Sequence, residues 1–127
     1  MAMRPLKGGI RNEMKEKAMR EVILAQLGAL RADAGVELVA CKDTCVGDYL
    51  TGKADALAVA MQMVESKAMI ESMAHFLRHE ETRNMNMAES ARSCSNDTMA
   101  RLREGAAAGY MAASRVVTEV REANKYE

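Results

Sequence analysis

Residues 99–123 read MARLREGAAAGYMAASRVVTEVREA, and the spacing inside this stretch decides the fold class. Met99, Leu102, Ala106, Gly109, Ala113, Val116, Val120 and Ala123 follow one another at intervals of three and four without a miss. At about 3.6 residues per turn such positions line one side of a helix, and a heptad repeat is the pattern of two helices packed along a seam. The middle of the row, GAAAGYMAA, consists mainly of small side chains, which let helix backbones approach more closely than the usual interaxial distance of about 8–10 Å. Gly105 and Gly109 have the spacing of membrane helix dimers, but Arg101, Arg103, Glu104 and Arg115 surround them, so the seam belongs in water. Met99, Leu102, Ala106, Gly109, Ala113, Val116 and Val120 are therefore the candidate interface residues.

Moving back along the chain, helical spacing predicts a second helix over residues 53–81, with Thr51 as its N-cap. Val59, Met63, Ser66, Ile70, Met73 and Leu77 alternate four and three apart, beside a parallel row of Leu57, Met61, Val64 and Ala68. Two adjacent rows give the broad apolar face of a bundle helix. The first helix is expected from about Arg11, where Met14, Ala18, Val22, Ala25 and Ala29 recur at helical spacing, flanked by Met19, Ile23, Leu27 and Leu30. Gly35 is placed to end it. Over residues 36–48 the segment VELVAC has strand-like β-branched positions but no other segment to pair with; irregular structure with a short helix is the expectation. After RHEETRNMN a third helix runs to about Asn124, with a candidate break near SCSND. The opening MAMRPLKGGI, with the chain's one Pro and a Gly pair, reads as an arm.

The chain has 127 residues, one domain's worth, and 49% hydrophobic residues, enough for a core. That core lacks aromatic bulk: no Trp, one Phe and three Tyr stand against 12 Met. Aromatic side chains are the largest units of buried area, so burial here comes from many small contributions, and association between copies is a natural remedy. The formal net charge is zero, which argues against a whole-domain nucleic-acid binder. Residues 1–20 nonetheless carry six basic and two acidic side chains, a net +4 that leaves −4 for the remainder. Contact with nucleic acid is expected only through this basic arm, which otherwise suits an acidic neighbour. The opening has no apolar signal core, and no apolar run approaches the roughly 20 residues that span a bilayer; with three Cys, reduced thiols in a cytoplasmic setting are the expectation.

Residues 47–53, GDYLTGK, match the phosphate-loop pattern G-x-x-x-x-G-K, but Ala54 stands where that chemistry needs a hydroxyl for Mg²⁺. Without a preceding buried strand the match reads as coincidence. His75 and His79, the only histidines, lie four apart, with Glu71 one turn earlier, a spacing that suits zinc or copper. The three alone leave a tetrahedral site short of a ligand. Cys41 and Cys45, with the Met61/Met63 and Met85/Met87 pairs, suggest a soft metal, yet helical residues two apart point about 200° apart. No nucleophile with a His and an acid can be assembled.

The sequence thus predicts an all-α, antiparallel bundle of three to four helices: a flexible basic arm over residues 1–10 and one domain over 11–127. The expected function is non-enzymatic and cofactor-free. It is a structural or interaction subunit, a homo-oligomer with room for other protein subunits and no membrane partner, of the kind that builds rings and shells, including virus or phage particles. The alternatives are a metal-binding or metal-sensing protein using His75 and His79, and a monomeric adaptor or inhibitor that presents an apolar face to a host protein.

Overall fold

The computed structural model describes residues 3–66 and 68–125, with side chains from residue 13 onward. Four helices follow in chain order: α1 (Met3–Ala40), α2 (Thr44–Glu65), α3 (Ile70–Ser93) and α4 (Asp97–Asn124). No strand occurs among the described residues. The all-α bundle expected from the spacing is what forms.

Successive helices run antiparallel. Gly28 of α1 faces Met61 of α2, and Gly47 at the start of α2 faces Leu38 at the end of α1. Asn84 of α3 bonds Arg103 of α4, and Arg78 bonds Thr118, so rising numbers meet falling ones. α2 and α4 are consequently parallel, and they are in intimate contact. α4 packs along both α2 and α3, α1 packs chiefly on α2, and α2 and α3 scarcely touch. The row of small residues explains this arrangement. A Cβ on Gly105 would overlap the Tyr49 carbonyl, one on Gly52 would overlap the Leu102 carbonyl, and one on Gly109 would lie 2.6 Å from the Lys53 oxygen. Backbone meets backbone where the sequence withholds side chains.

The core is one continuous cluster. Ile23 and Leu27 of α1, Leu57 and Val64 of α2, Ile70, Met73 and Leu77 of α3, and Tyr110, Ala113, Val116, Val117 and Val120 of α4 are buried in it. Each fully buried Leu, Ile or Met contributes about 1.5–3 kcal/mol relative to exposure. Polar contacts fix the helix ends around it. The Arg20 guanidinium donates to the Val64 carbonyl in the last turn of α2 at 3.1 Å, where the helix dipole favours a cation. Arg101 of α4 donates twice to the Asp48 carboxylate near the start of α2, at 3.1 and 3.2 Å. Arg92 and Glu104 pair α3 with α4.

Several boundaries differ from the expectation. The backbone of residues 3–10, expected as an arm, is the first part of α1, and Met1 and Ala2 lie outside the described residues. Pro5 falls in the first turn, where no N–H is needed, and the glycine pair costs about 1 kcal/mol per residue relative to Ala without forbidding helix. Gly35 does not end α1: no glycine has positive φ, and the helix continues to Ala40, taking in most of VELVAC. Leu38 packs beyond Gly35, beside Gly47. The helix expected over residues 53–81 is two. α2 begins at Thr44, capped by Asp43 and not by Thr51, with the Asp43 carboxylate accepting from the Cys45 N–H at 2.8 Å. It ends at Glu65, and α3 starts after an extended Met69. The break near SCSND is present: the Ser95 N–H reaches the Arg92 carbonyl and the Asn96 N–H reaches that of Ala91, a Schellman turn with Ser95 at φ 59°.

Candidate interaction surface

The expected interface row forms a helix–helix seam, but the seam closes inside the chain. Gly109, Ala113, Val116 and Val120 are buried within a single copy, Leu102 and Ala106 are half-buried, and only Met99 is exposed. The row was expected as the interface between copies, and within a single copy α2 packs on it. α2 fits there because Gly52 and Ala56 are as small as the residues they meet.

The remaining sequence candidates do not converge. The phosphate-loop match lies wholly within α2, so its backbone N–H groups serve the helix ladder and Gly52 serves the contact with α4. His75 and His79 are exposed on α3, as is Glu71, and no group of three or more His, Cys, Asp or Glu among the described residues is placed to hold a metal. All three thiols are free, and Cys41 donates to the Asp43 carbonyl at 3.1 Å.

Two surface features were less legible. One is a groove between the splayed α2 and α3, floored by α4, with Val59, Asp55, Glu80, Arg83, Met99 and Tyr110 among its lining. Asn84 is buried there, donating to the Glu80 carbonyl at 2.8 Å and accepting from Arg103 at 3.2 Å. Tyr110 sits at the groove's edge with its phenol held above the ordinary pKa of 10.0, first by burial and then by the Glu80 carboxylate, with Arg103 and Arg83 opposing. Within the groove Arg83 pairs with the Glu80 carboxylate and Arg103 donates to Asn84.

The other feature is the outer face of α1. The helix carries two apolar rows. Ile23, Leu27, Leu30, Ala34 and Leu38 face the bundle, and Ile23 and Leu27 are 0% exposed. Ala18, Val22, Ala25, Ala29, Ala32, Val36 and Val39 form the second row, all of them exposed, with Val36 at 70% and Val39 at 89%. At about 100° per residue the two rows lie roughly 200° apart, on opposite sides of the helix. The sequence reading centred the amphipathic face on Met14, Ala18, Val22, Ala25 and Ala29 and made Met19, Ile23, Leu27 and Leu30 its flank; the bundle reverses this. The larger Ile and Leu side chains bury more area than Ala, so they take the core side. Periodicity alone finds both rows and does not rank them.

No family model matches the chain, and no curated protein or solved structure is significantly similar to it. Among the described residues the fold is four packed helices, and the outer face of α1 carries an exposed apolar row. No described helix is long and apolar enough to cross a membrane.

Proposed function

We propose that the protein is a non-enzymatic interaction subunit that self-associates through the outer face of α1. The carrying observation is the exposed row from Ala18 to Val39, which keeps strict heptad spacing over seven apolar residues. Exposed Ala suits any helix, so the weight rests on Val22, Val36 and Val39, which are poorer helix formers and gain nothing from contact with water. The aromatic-poor core supports the same reading, since a bundle built from Ala, Val and Met gains from further burial between copies.

The test is the solution mass by light scattering over a dilution series at moderate salt. A defined multimer that persists on dilution supports the reading; a monomer at every concentration overturns it. A monomer would favour the adaptor reading, in which the same face receives an unrelated protein, and capture of one defined partner lost on Val36→Asp substitution would establish it.

A further inference from the structure

We infer that the groove between α2 and α3 binds a small organic cation, a primary ammonium carried on an aryl or alkyl body. The inference is independent of self-association, because no described residue of α1 lines the groove. The groove has a volume of about 390 Å³, within the range of roughly 300–1,000 Å³ typical of small-molecule sites. α4 forms its floor, and α2 and α3 stand apart as its walls. Its apolar part includes Val59 of α2 with Met99, Leu102 and Ala106 of α4. Val59 and Met99 are exposed, so an aryl or alkyl group laid on them gains burial without displacing a core side chain.

Three oxygen-bearing side chains line the same groove, one from each helix: Asp55 of α2, Glu80 of α3 and Tyr110 of α4. Asp55 has no hydrogen-bond or ion-pair partner among the described residues. Tyr110 is 8% exposed, and its hydroxyl likewise has no hydrogen-bond partner among them. A hydroxyl withdrawn from water without a partner is a cost that a ligand donor relieves. Burial first, and the Glu80 carboxylate second, hold this phenol protonated, and a neutral phenol accepts a hydrogen bond through its oxygen. The Glu80 side chain is 13% exposed and pairs at 3.4 Å with Arg83, whose own side chain is 60% exposed and so largely solvated. Both cations in the lining are engaged: Arg83 donates to Glu80, and Arg103 donates to Asn84. The unused groups are a carboxylate and a hydroxyl, so the groove favours a positively charged donor over an anion. A primary ammonium carries three N–H donors, one for each of the three oxygen-bearing groups.

Benzylammonium chloride tests this on the full chain, with benzyl alcohol as the neutral probe and sodium benzoate as the anionic one. Binding is followed through the Met99 methyl signal in NMR titrations at neutral pH. Benzylammonium is expected to shift that signal saturably and to bind about tenfold tighter than either control. Asp55→Asn, at an exposed position, should weaken benzylammonium by about three- to tenfold and leave benzyl alcohol unchanged. Tyr110→Phe keeps the ring and should weaken benzylammonium by about threefold or more. The helical spectra of both variants should match the parent's. Equal affinity for the three probes would leave an apolar groove with no charge selection and overturn the cation site. Tighter binding of benzoate would hand the groove to Arg83 and Arg103 and overturn it as well. So would the absence of a saturable shift with benzylammonium up to about 20 mM.

Discussion

At Gly105 the Tyr49 carbonyl of the neighbouring helix occupies the space a Cβ needs, and neither group has freedom to move. Gly105→Ala must push α2 and α4 apart along their seam. The expected cost is about 1–3 kcal/mol in urea denaturation, the range for overpacking a tight core. Gly28 is the contrast. A Cβ there meets only the Met61 Cε at an ordinary 3.7 Å, so Gly28→Ala should stabilise by about 0.5–1 kcal/mol through helix propensity. Equal effects at the two sites would refute the close approach of α2 and α4. Tyr110 gives a second test at this scale. Its raised pKa means the folded state holds the phenolic proton more tightly than the unfolded chain does. The resulting stability is fully present below the unfolded value near 10 and is lost as pH rises through the folded one. Tyr110→Phe keeps the ring and removes the titration, so above about pH 10 its stability should fall less steeply than the parent's; parallel curves would sink this account. The small-residue seam was legible from Gly105, Ala106 and Gly109, because a run of missing side chains has few other uses. Which helix fills it was not, since Gly52 and Ala56 sit in a stretch whose letters also match a phosphate loop.

The helix ends show where sequence reading stops at the level of elements. Ser66 and Met69 bound the turn between α2 and α3, and nothing in that segment is Gly or Pro. The apolar spacing runs straight through from Met63 to Ile70 because both helices bury residues in the same core, so periodicity saw one helix. Gly35 misled in the opposite direction: a glycine ends a helix only if the chain gains by leaving it, and Leu38 gains by staying. Asp43 and Thr51 are both residue types that cap helices, and the two positions make opposite predictions. Asp43→Ala removes the acceptor for the Cys45 N–H and should destabilise by about 0.5–2 kcal/mol. Thr51 lies inside α2 with its hydroxyl donating to the Gly47 carbonyl, so Thr51→Ala should change stability by less than about 0.5 kcal/mol. Thermal melts of the two variants decide the start of α2. At the other marked turn, Ser95 holds a left-handed conformation that glycine adopts freely. Ser95→Gly should stabilise by about 0.5–1 kcal/mol, and a loss of stability would mean that the Schellman turn is wrongly placed.

For the whole molecule the decisive feature is a helix with apolar residues on two opposite sides in a bundle that covers one. The first helix carries both patterns openly, yet sequence alone could not say which side the bundle would take, because that depends on what α2 and α4 offer. They offer a surface that fits Ile23 and Leu27, and the smaller row from Ala18 to Val39 is left outside. Association through that row has a thermodynamic consequence independent of any measured mass. A partner that binds only the folded chain stabilises it by mass action, so the melting temperature must rise with protein concentration. The parent should therefore melt higher as concentration is raised across a hundredfold range. Ala29→Glu places a charge in the middle of the outer row and touches nothing in the core. Its melting temperature should be flat over the same range and meet the parent's at the dilute end, apart from about 0.5 kcal/mol of helix propensity. A parent curve that is also flat would remove α1's outer face as a site of self-association. A variant that melts far below the dilute parent would show instead that Ala29 supports the bundle, contrary to its exposed position. Convergence at low concentration with divergence at high concentration is the outcome that only a face used between molecules produces.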